Sequence, residues 1–297
     1  MGLIAALAWG VHDLCVRSVS RRADIAACLL GVFSIGLLMM LPVLLWQAFA
    51  VPGAPPVDTV NAGAIAATGG SLRITRTALA SGLAIGVMYA VANYTLYRAF
   101  AAGPVRIVAP VTASYPVYTV ALAVAGGATV AIESWIAVLA VIAGVALVAF
   151  TSDPDEPAFE VRSVFGWSLL ASIGYALSFA FGQHLSGDGD TVVTLVLTRA
   201  FALLAVLLFM LATGGLRLPP RDTWWPITLM AAMDVIALGL VFGAGGLPDA
   251  AYATVTASMF GIVTIVLARL VFGELLSPRQ WGGVVLAFGA IGWLASH

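Results

Sequence analysis

Ionisable side chains inside long apolar stretches are the residues of this sequence best placed to do chemistry. His12 and Asp13 interrupt the first apolar run, and Arg199 and Asp234 interrupt two later ones. A charged residue at mid-bilayer costs about 2.5–3.5 kcal/mol on insertion scales, so such groups face a cavity or a partner. Trp9, His12 and Asp13 stand at i, i+3 and i+4, on one helix face. Histidine changes charge near neutral pH, which makes His12 with Asp13 a titratable pair lining a solute path. A second reading pairs Asp13 with Arg17 one turn on and merely pins the first helix. Arg199 and Asp234 lie near the same depth and read as mutual partners, either purely structural or with Asp234 exchanging a proton. His184, Arg269, Glu133 and Glu274 fall nearer the ends of their segments, where snorkelling or capping accounts for them.

Uncharged polar groups form a second set. Tyr89, Asn93 and Tyr97 recur every four residues, giving one polar-aromatic stripe with Arg98 beside its end. The Asn93 amide both donates and accepts hydrogen bonds, as an amide or zwitterionic solute requires, although Asn and Tyr also join helices in membranes. Tyr115 precedes Pro116, whose missing N–H predicts a kink there. The ring of Tyr115 would then sit at a flexible point, able to stack on an apolar ligand. Tyr175 and Ser178 occupy the matching region of the second half. The Ser and Thr residues around Thr112–Thr119 and Thr254–Ser258 are read chiefly as packing groups.

The elements that position these residues are membrane spans. Of the 297 residues, 62% are apolar and only 9% charged, against about 25% charged in an average soluble domain. Such a chain cannot cover a soluble surface. With 13 arginines, no lysine and a net charge of −1, it has no basic patch for nucleic acid. Cys15 and Cys28 lie in apolar segments, so neither a disulfide framework nor a metal cluster is expected. Ten spans of about 20 residues are predicted at 2–19, 24–50, 78–102, 104–125, 131–150, 163–185, 190–213, 223–246, 249–272 and 278–296. Trp46, Trp167, Trp224, Trp225, Trp281 and Trp293 lie toward span ends, as in an aromatic belt.

The chain also repeats itself. An offset of 166 pairs Ala5 with Ala171, Trp9 with Tyr175, Ser20 with Ser186 and Asp24 with Asp190. An offset of 144 pairs Pro104 with Pro248 and aligns 109–114 (Ala-Pro-Val-Thr-Ala-Ser) with 253–258 (Ala-Thr-Val-Thr-Ala-Ser), five identities in six. The long 51–77 loop absorbs the difference of 166 − 144 = 22 residues. Each copy holds five spans. Five is odd, so the second copy enters the membrane from the opposite side. The expected fold is an all-α integral membrane protein of ten transmembrane helices arranged as two inverted five-helix repeats, 1–150 and 151–297. Solute sites in such folds lie near the midplane between the halves.

The chain resembles the drug/metabolite transporter superfamily in its ten-helix, EamA-type branch. The resemblance rests on Ala8-Trp9-Gly10, on Tyr115-Pro116-Val117-Tyr118-Thr119, on Phe272-Gly273-Glu274, and on the tenth span with Gly282, Gly283 and Gly289. Two departures stand out: Gly126-Gly127-Ala128-Thr129 replaces a Gly-Glu pair in the first half, and Met259-Phe260 replaces a proline in the ninth span. The resemblance implies movement of small organic solutes, often amino acids or other metabolites. It also implies both termini in the cytoplasm. On that arrangement the cytoplasmic loops hold Arg73 and Arg76, while the opposite loops hold Arg17, Arg21, Arg22, Arg106, Arg162, Arg217, Arg221 and Arg279. Two against eight reverses the positive-inside bias. The two criteria give opposite orientations, and a reporter fused at His297 separates them.

The residues therefore read as follows. Trp9, His12, Tyr89, Asn93, Tyr97, Tyr115, Tyr175 and Ser178 are the candidate solute contacts. His12, Asp13, Asp234 and Arg199 are the candidate proton or charge couplers, and Pro116 is the candidate hinge. The expected activity is secondary transport of a neutral or zwitterionic amphiphile by alternating access, because the midplane lacks the clustered Arg or Lys that a phosphate ester wants. An uncoupled facilitator or pore is the alternative. No HExxH, nucleophile elbow or GxxxxGK[ST] occurs, so neither an enzyme nor ATP hydrolysis is expected. No metal or cofactor is implied. The partners are a small organic solute and the lipid bilayer, and one chain suffices. Arginine without lysine, with abundant Ala and Gly, places the protein in a bacterial inner membrane.

Overall fold

A computed structural model describes residues 1–50, 65–66, 73–74, 76–127, 129, 131–150, 159–188, 190–247 and 250–294. The loops predicted at 51–77 and 151–162 fall largely outside these residues, as do Pro248 and His297. Twelve α-helices are described: α1 Gly2–Val19, α2 Ile25–Ala50, α3 Arg76–Ala102, α4 Val105–Ala113, α5 Tyr115–Ala125, α6 Ile132–Phe150, α7 Val161–Asp188, α8 Thr191–Ala212, α9 Trp224–Gly243, α10 Ala250–Ala257, α11 Phe260–Phe272 and α12 Pro278–Leu294. They make ten rods, because α4–α5 and α10–α11 are single spans broken near their middles. Eight of the rods are long and apolar enough to cross a membrane, and α6 is a shorter apolar helix. A short antiparallel pairing of Ile65–Ala66 with Arg73–Ile74 precedes α3.

The packing is symmetric under exchange of the two halves. Helix α1 lies on α9 and against α10 and α11; its counterpart α7 lies on α3 and against α4 and α5. Helices α2 and α3 meet α8, and α2 also meets α9. Two pairings map onto themselves, α2 with α8 and α6 with α12, and the fourth and ninth spans meet through α4 and α11. These lie where a pseudo-twofold axis relates the copies, so the expected pair of inverted five-helix repeats is the observed architecture. The repeat extends to helix starts. Asp24 accepts from Ala27 N at 2.9 Å at the head of α2, and Asp190 accepts from Val192 N at 2.7 Å at the head of α8. Both satisfy N–H groups that a first turn leaves open.

The two broken spans share their cause. Each breaks at the serine of the repeated Val-Thr-Ala-Ser. Ser114 Oγ donates to Val111 O at 2.7 Å, and Ser258 Oγ donates to Val255 O at 2.6 Å. Backbone bonds tighten from i−4 to i−3 there: Val117 N reaches Ser114 O, and Met259 N reaches Thr256 O. The kink expected at Pro116 therefore sits two residues earlier, and Pro116 lies in the first turn of α5, where its missing N–H is harmless. The ninth span breaks in the same place with no proline. A Cβ on Gly261 would come within 3.1 Å of Ala109 O and 3.0 Å of Ala113 Cβ. The two broken spans thus cross in close contact.

Helices α6 and α12 approach through reciprocal glycines. A Cβ on Gly144 would lie 2.6 Å from Gly283 O, and one on Gly283 would lie 2.7 Å from Gly144 O. This close approach is the kind that small residues permit in membranes, where packing rather than water expulsion holds helices together. Gly144→Val is expected to lower the melting temperature in detergent by the equivalent of about 1–3 kcal/mol of overpacking. Gly289→Val, on the partner helix α12 with open space around it, should leave it nearly unchanged.

Candidate functional site

Asp234 on α9 is the centre of the polar seam. It accepts from Tyr89 OH on α3 at 2.5 Å and from Trp9 Nε1 on α1 at 3.0 Å, both at Oδ1, while Arg199 Nη2 on α8 meets Oδ2 at 3.0 Å. Four helices converge on one carboxylate. Asp234 is 1% exposed and Arg199 fully buried. The pairing expected from their matching depth is what the structure has. Such an ion is tolerable only because a counter-charge and two further donors replace its water. Arg199 keeps two donors, Nε and Nη1, without a hydrogen-bond acceptor, and its Nη1 lies where Gly36 leaves room on α2.

His12 and Asp13 form a second cluster beside it. His12 Nδ1 lies 3.0 Å from Asp13 Oδ1, and His12 Nε2 lies 3.3 Å from Tyr97 OH. An ionised carboxylate only accepts, so Nδ1–H donates to Asp13, and Nε2 is left to pair with the Tyr97 hydroxyl, which can donate or accept. The alternative partner, Arg17, is occupied elsewhere. Its Nη2 binds Glu274 Oε1 at 2.9 Å, and its Nη1 donates to Phe100 O at 2.8 Å. Glu274 Oε2 accepts from Val105 N at 2.8 Å. Glu274, read from sequence as an end-of-span group explained by snorkelling or capping, thus joins the ends of α1, α3 and α11 to the first turn of α4. Its closest sequence signal was the Phe272-Gly273-Glu274 motif.

A small cavity opens between these clusters, lined by Trp9, His12, Asp13, Leu96, Tyr115, Tyr175, Phe179 and Phe260. Its walls are stacked rings. Trp9 lies parallel to Phe179 with centroids 5.1 Å apart, Tyr175 is parallel to Phe179 at 5.4 Å, and Tyr115 meets Phe179 edge-on at 5.2 Å. The cavity has about the room of one water molecule. Tyr115 OH donates to Thr254 O at 2.6 Å, tying one broken span to the other across the seam.

The structure thus brings Trp9, His12, Asp13, Tyr115 and Tyr175 to one cavity. Tyr89 and Tyr97 stand behind it, bonded to Asp234 and His12. Asn93 is buried, with Nδ2 donating to Tyr89 O at 2.9 Å and Oδ1 without a partner. Ser178 lies away from the cavity wall, its hydroxyl donating to Gly174 O at 2.8 Å on its own helix. Arg98 sits outside the seam, over the Trp167 ring at 5.4 Å. Phe179 and Phe260 escaped the sequence reading. Phe179 was legible one turn beyond Tyr175, whereas Phe260 acquires its place only from the break at Ser258.

Ten rods in two inverted copies, with a polar seam between them, define a helical membrane protein of inverted-repeat architecture. The model of the EamA-like transporter family matches residues 1–150 and again 163–296, and the chain belongs to that family. It is a multi-pass membrane protein of a family whose members transport small solutes. A solved crystal structure covers 100% of this chain and 98% of its own, with a TM-score of 0.66 at 14% identity; that likeness concerns the fold. No curated protein matches the sequence.

Removing one member of a buried ion pair leaves the other charge uncompensated, at about 3–5 kcal/mol, whereas replacing both with apolar groups costs far less. Asp234→Leu alone should sharply lower the melting temperature in detergent. The double variant Asp234→Leu with Arg199→Met should recover part of that loss, as a double-mutant cycle would record, with the Trp9 and Tyr89 donors still lacking their acceptor.

Proposed function

We propose that this protein is a secondary transporter that moves a small neutral or zwitterionic organic solute, of amino-acid type, by alternating access across a bacterial inner membrane. The repeats 1–150 and 151–297 are its two moving units. The observation that carries this reading is the aromatic cavity at the crossing of the two broken spans, bordered by Trp9, His12, Asp13, Tyr115 and Tyr175. A solute chamber needs apolar walls, few convergent polar groups and a place between the halves, and this cavity has all three.

In its present contracted form the cavity is too small for an amino acid, so transport requires it to widen. The breaks at Ser114 and Ser258 supply the compliance. A span interrupted at mid-depth can swing its outer half while its inner half stays packed. In this scheme the bond from Tyr115 to Thr254 O holds the two hinges together in the closed arrangement. Reconstituted protein should show saturable uptake of at least one radiolabelled amino acid, with counterflow when unlabelled solute is loaded inside. Linear, non-saturating flux without counterflow identifies a pore instead. Absence of saturable flux across a broad panel of amino acids, at several pH values, counts against the whole reading.

Proton coupling through His12, Asp13, Asp234 and Arg199 is the finer part of the proposal. Asp13→Asn keeps the size of the side chain and removes its charge. Uphill accumulation under an imposed pH gradient should fall to background in this variant, while exchange of internal for external solute continues. Normal accumulation by Asp13→Asn removes Asp13 from the coupling path, and failure of the unaltered protein to accumulate solute leaves an uncoupled facilitator.

A further inference from the structure

We infer that the contracted cavity is a subsite for an organic ammonium group that bears N–H, with Asp13 as its counter-ion and the rings of Trp9, Tyr115, Tyr175 and Phe179 as its walls. The inference rests on the reading of this cavity as the solute chamber and names the head group it takes.

Charge balance is the first argument. The buried seam holds two carboxylates, Asp13 and Asp234, and Arg199 is engaged with Asp234. Arg17, the next arginine along α1, is engaged with Glu274. Among the described residues the only ion-pair partner of Asp13 is His12, and a histidine carries charge only when protonated, unlike the arginines that serve Asp234 and Glu274. An ionised Asp13 beside a neutral ring lacks one positive charge, which the ammonium group of a solute supplies.

The free acceptor is the second. Asp13 is 2% exposed, and its Oδ2 accepts no hydrogen bond, since the nearby Thr264 hydroxyl donates to Phe260 O at 2.9 Å. An unsatisfied acceptor at this depth calls for a donor, and a primary or secondary ammonium brings charge and N–H together. The walls are the third. Four rings and the edge of Phe260 surround the same space, and the faces of such rings attract cations. A carboxylate or phosphate head group would instead meet Asp13 with like charge. The ammonium can belong to a simple amine or to the α-amino group of an amino acid.

Four probes sharing one branched body decide the matter: isopentylamine and leucine carry the ammonium group, and isopentanol and N-acetyl-leucine lack it. Full-length protein in detergent is titrated with each, following the melting temperature and the heat of binding. At least one of the two ammonium probes should raise the melting temperature and bind at least tenfold tighter than its partner without the charge. Tighter binding of leucine than of isopentylamine assigns the subsite to an amino acid, and the reverse to a simple amine. Asp13→Asn should weaken the ammonium probes at least tenfold. Should that variant fail to fold, Tyr175→Leu, which removes one wall, should weaken them in the same direction, and the wild-type comparison stands by itself. Equal binding with and without the charge, or no binding of either ammonium probe, overturns the proposal. Flux of the same compounds into liposomes separates the two readings. Ammonium binding without saturable flux leaves the subsite and removes the transporter; saturable flux of uncharged solutes without ammonium binding does the opposite.

Discussion

A carboxylate buried at the centre of a membrane protein has to be surrounded, and Asp234 shows what surrounding it requires. Its charge is matched by Arg199 from α8, and its lone pairs are filled by Trp9 from α1 and Tyr89 from α3. Those donors come from both repeats. The helices cannot separate far without stranding an ion in a medium that cannot solvate it. The seam is therefore held together by a penalty for opening at this one point as much as by apolar packing. Lipid gives helices little hydrophobic reason to associate, which makes such polar convergence more decisive here than in a soluble bundle.

Around that point lie the two interrupted spans. The broken spans α4–α5 and α10–α11 cross where Gly261 meets Ala109 and Ala113, and one hydrogen bond, from Tyr115 to Thr254 O, links them. Asp13 and His12 line the cavity beside that crossing. The clamp at Glu274 lies at one membrane end, binding α1, α3 and α4 to the end of α11. A paired carboxylate at the centre, a clamped end and two interrupted helices make up the seam. The stacked rings of Trp9, Tyr175 and Phe179 fill the space between them.

The sequence was most legible where the membrane enforces a rule. Because an isolated ion is expensive at mid-depth, the pairing of Arg199 with Asp234 followed from their depth alone. Asp24 and Asp190 were legible as matched features because a helix start needs an acceptor in both copies. Val-Thr-Ala-Ser was visible as a repeated string, yet its consequence was not. Pro116 drew the prediction of a kink by its known local chemistry, whereas the break falls at Ser114 and recurs at Ser258 without any proline. Ser178 illustrates the converse. Its spacing placed it beside Tyr175, but a hydroxyl in a helix can satisfy itself on its own backbone, and spacing does not reveal which choice it makes.

Composition, span periodicity and the offset repeat by themselves determined that this is an all-helical membrane protein of two inverted quintets, since the bilayer permits few other ways to satisfy the backbone of so apolar a chain. The tertiary structure alone decided who partners whom: that Arg17 takes Glu274 and leaves Asp13 to His12, that Tyr89 serves Asp234, and that Phe179 and Phe260 close the cavity. Those outcomes depend on rotation of each helix about its axis and on contacts between residues more than 80 positions apart. Local pattern fixes which face of a helix is polar, and only packing against the other repeat fixes what that face meets.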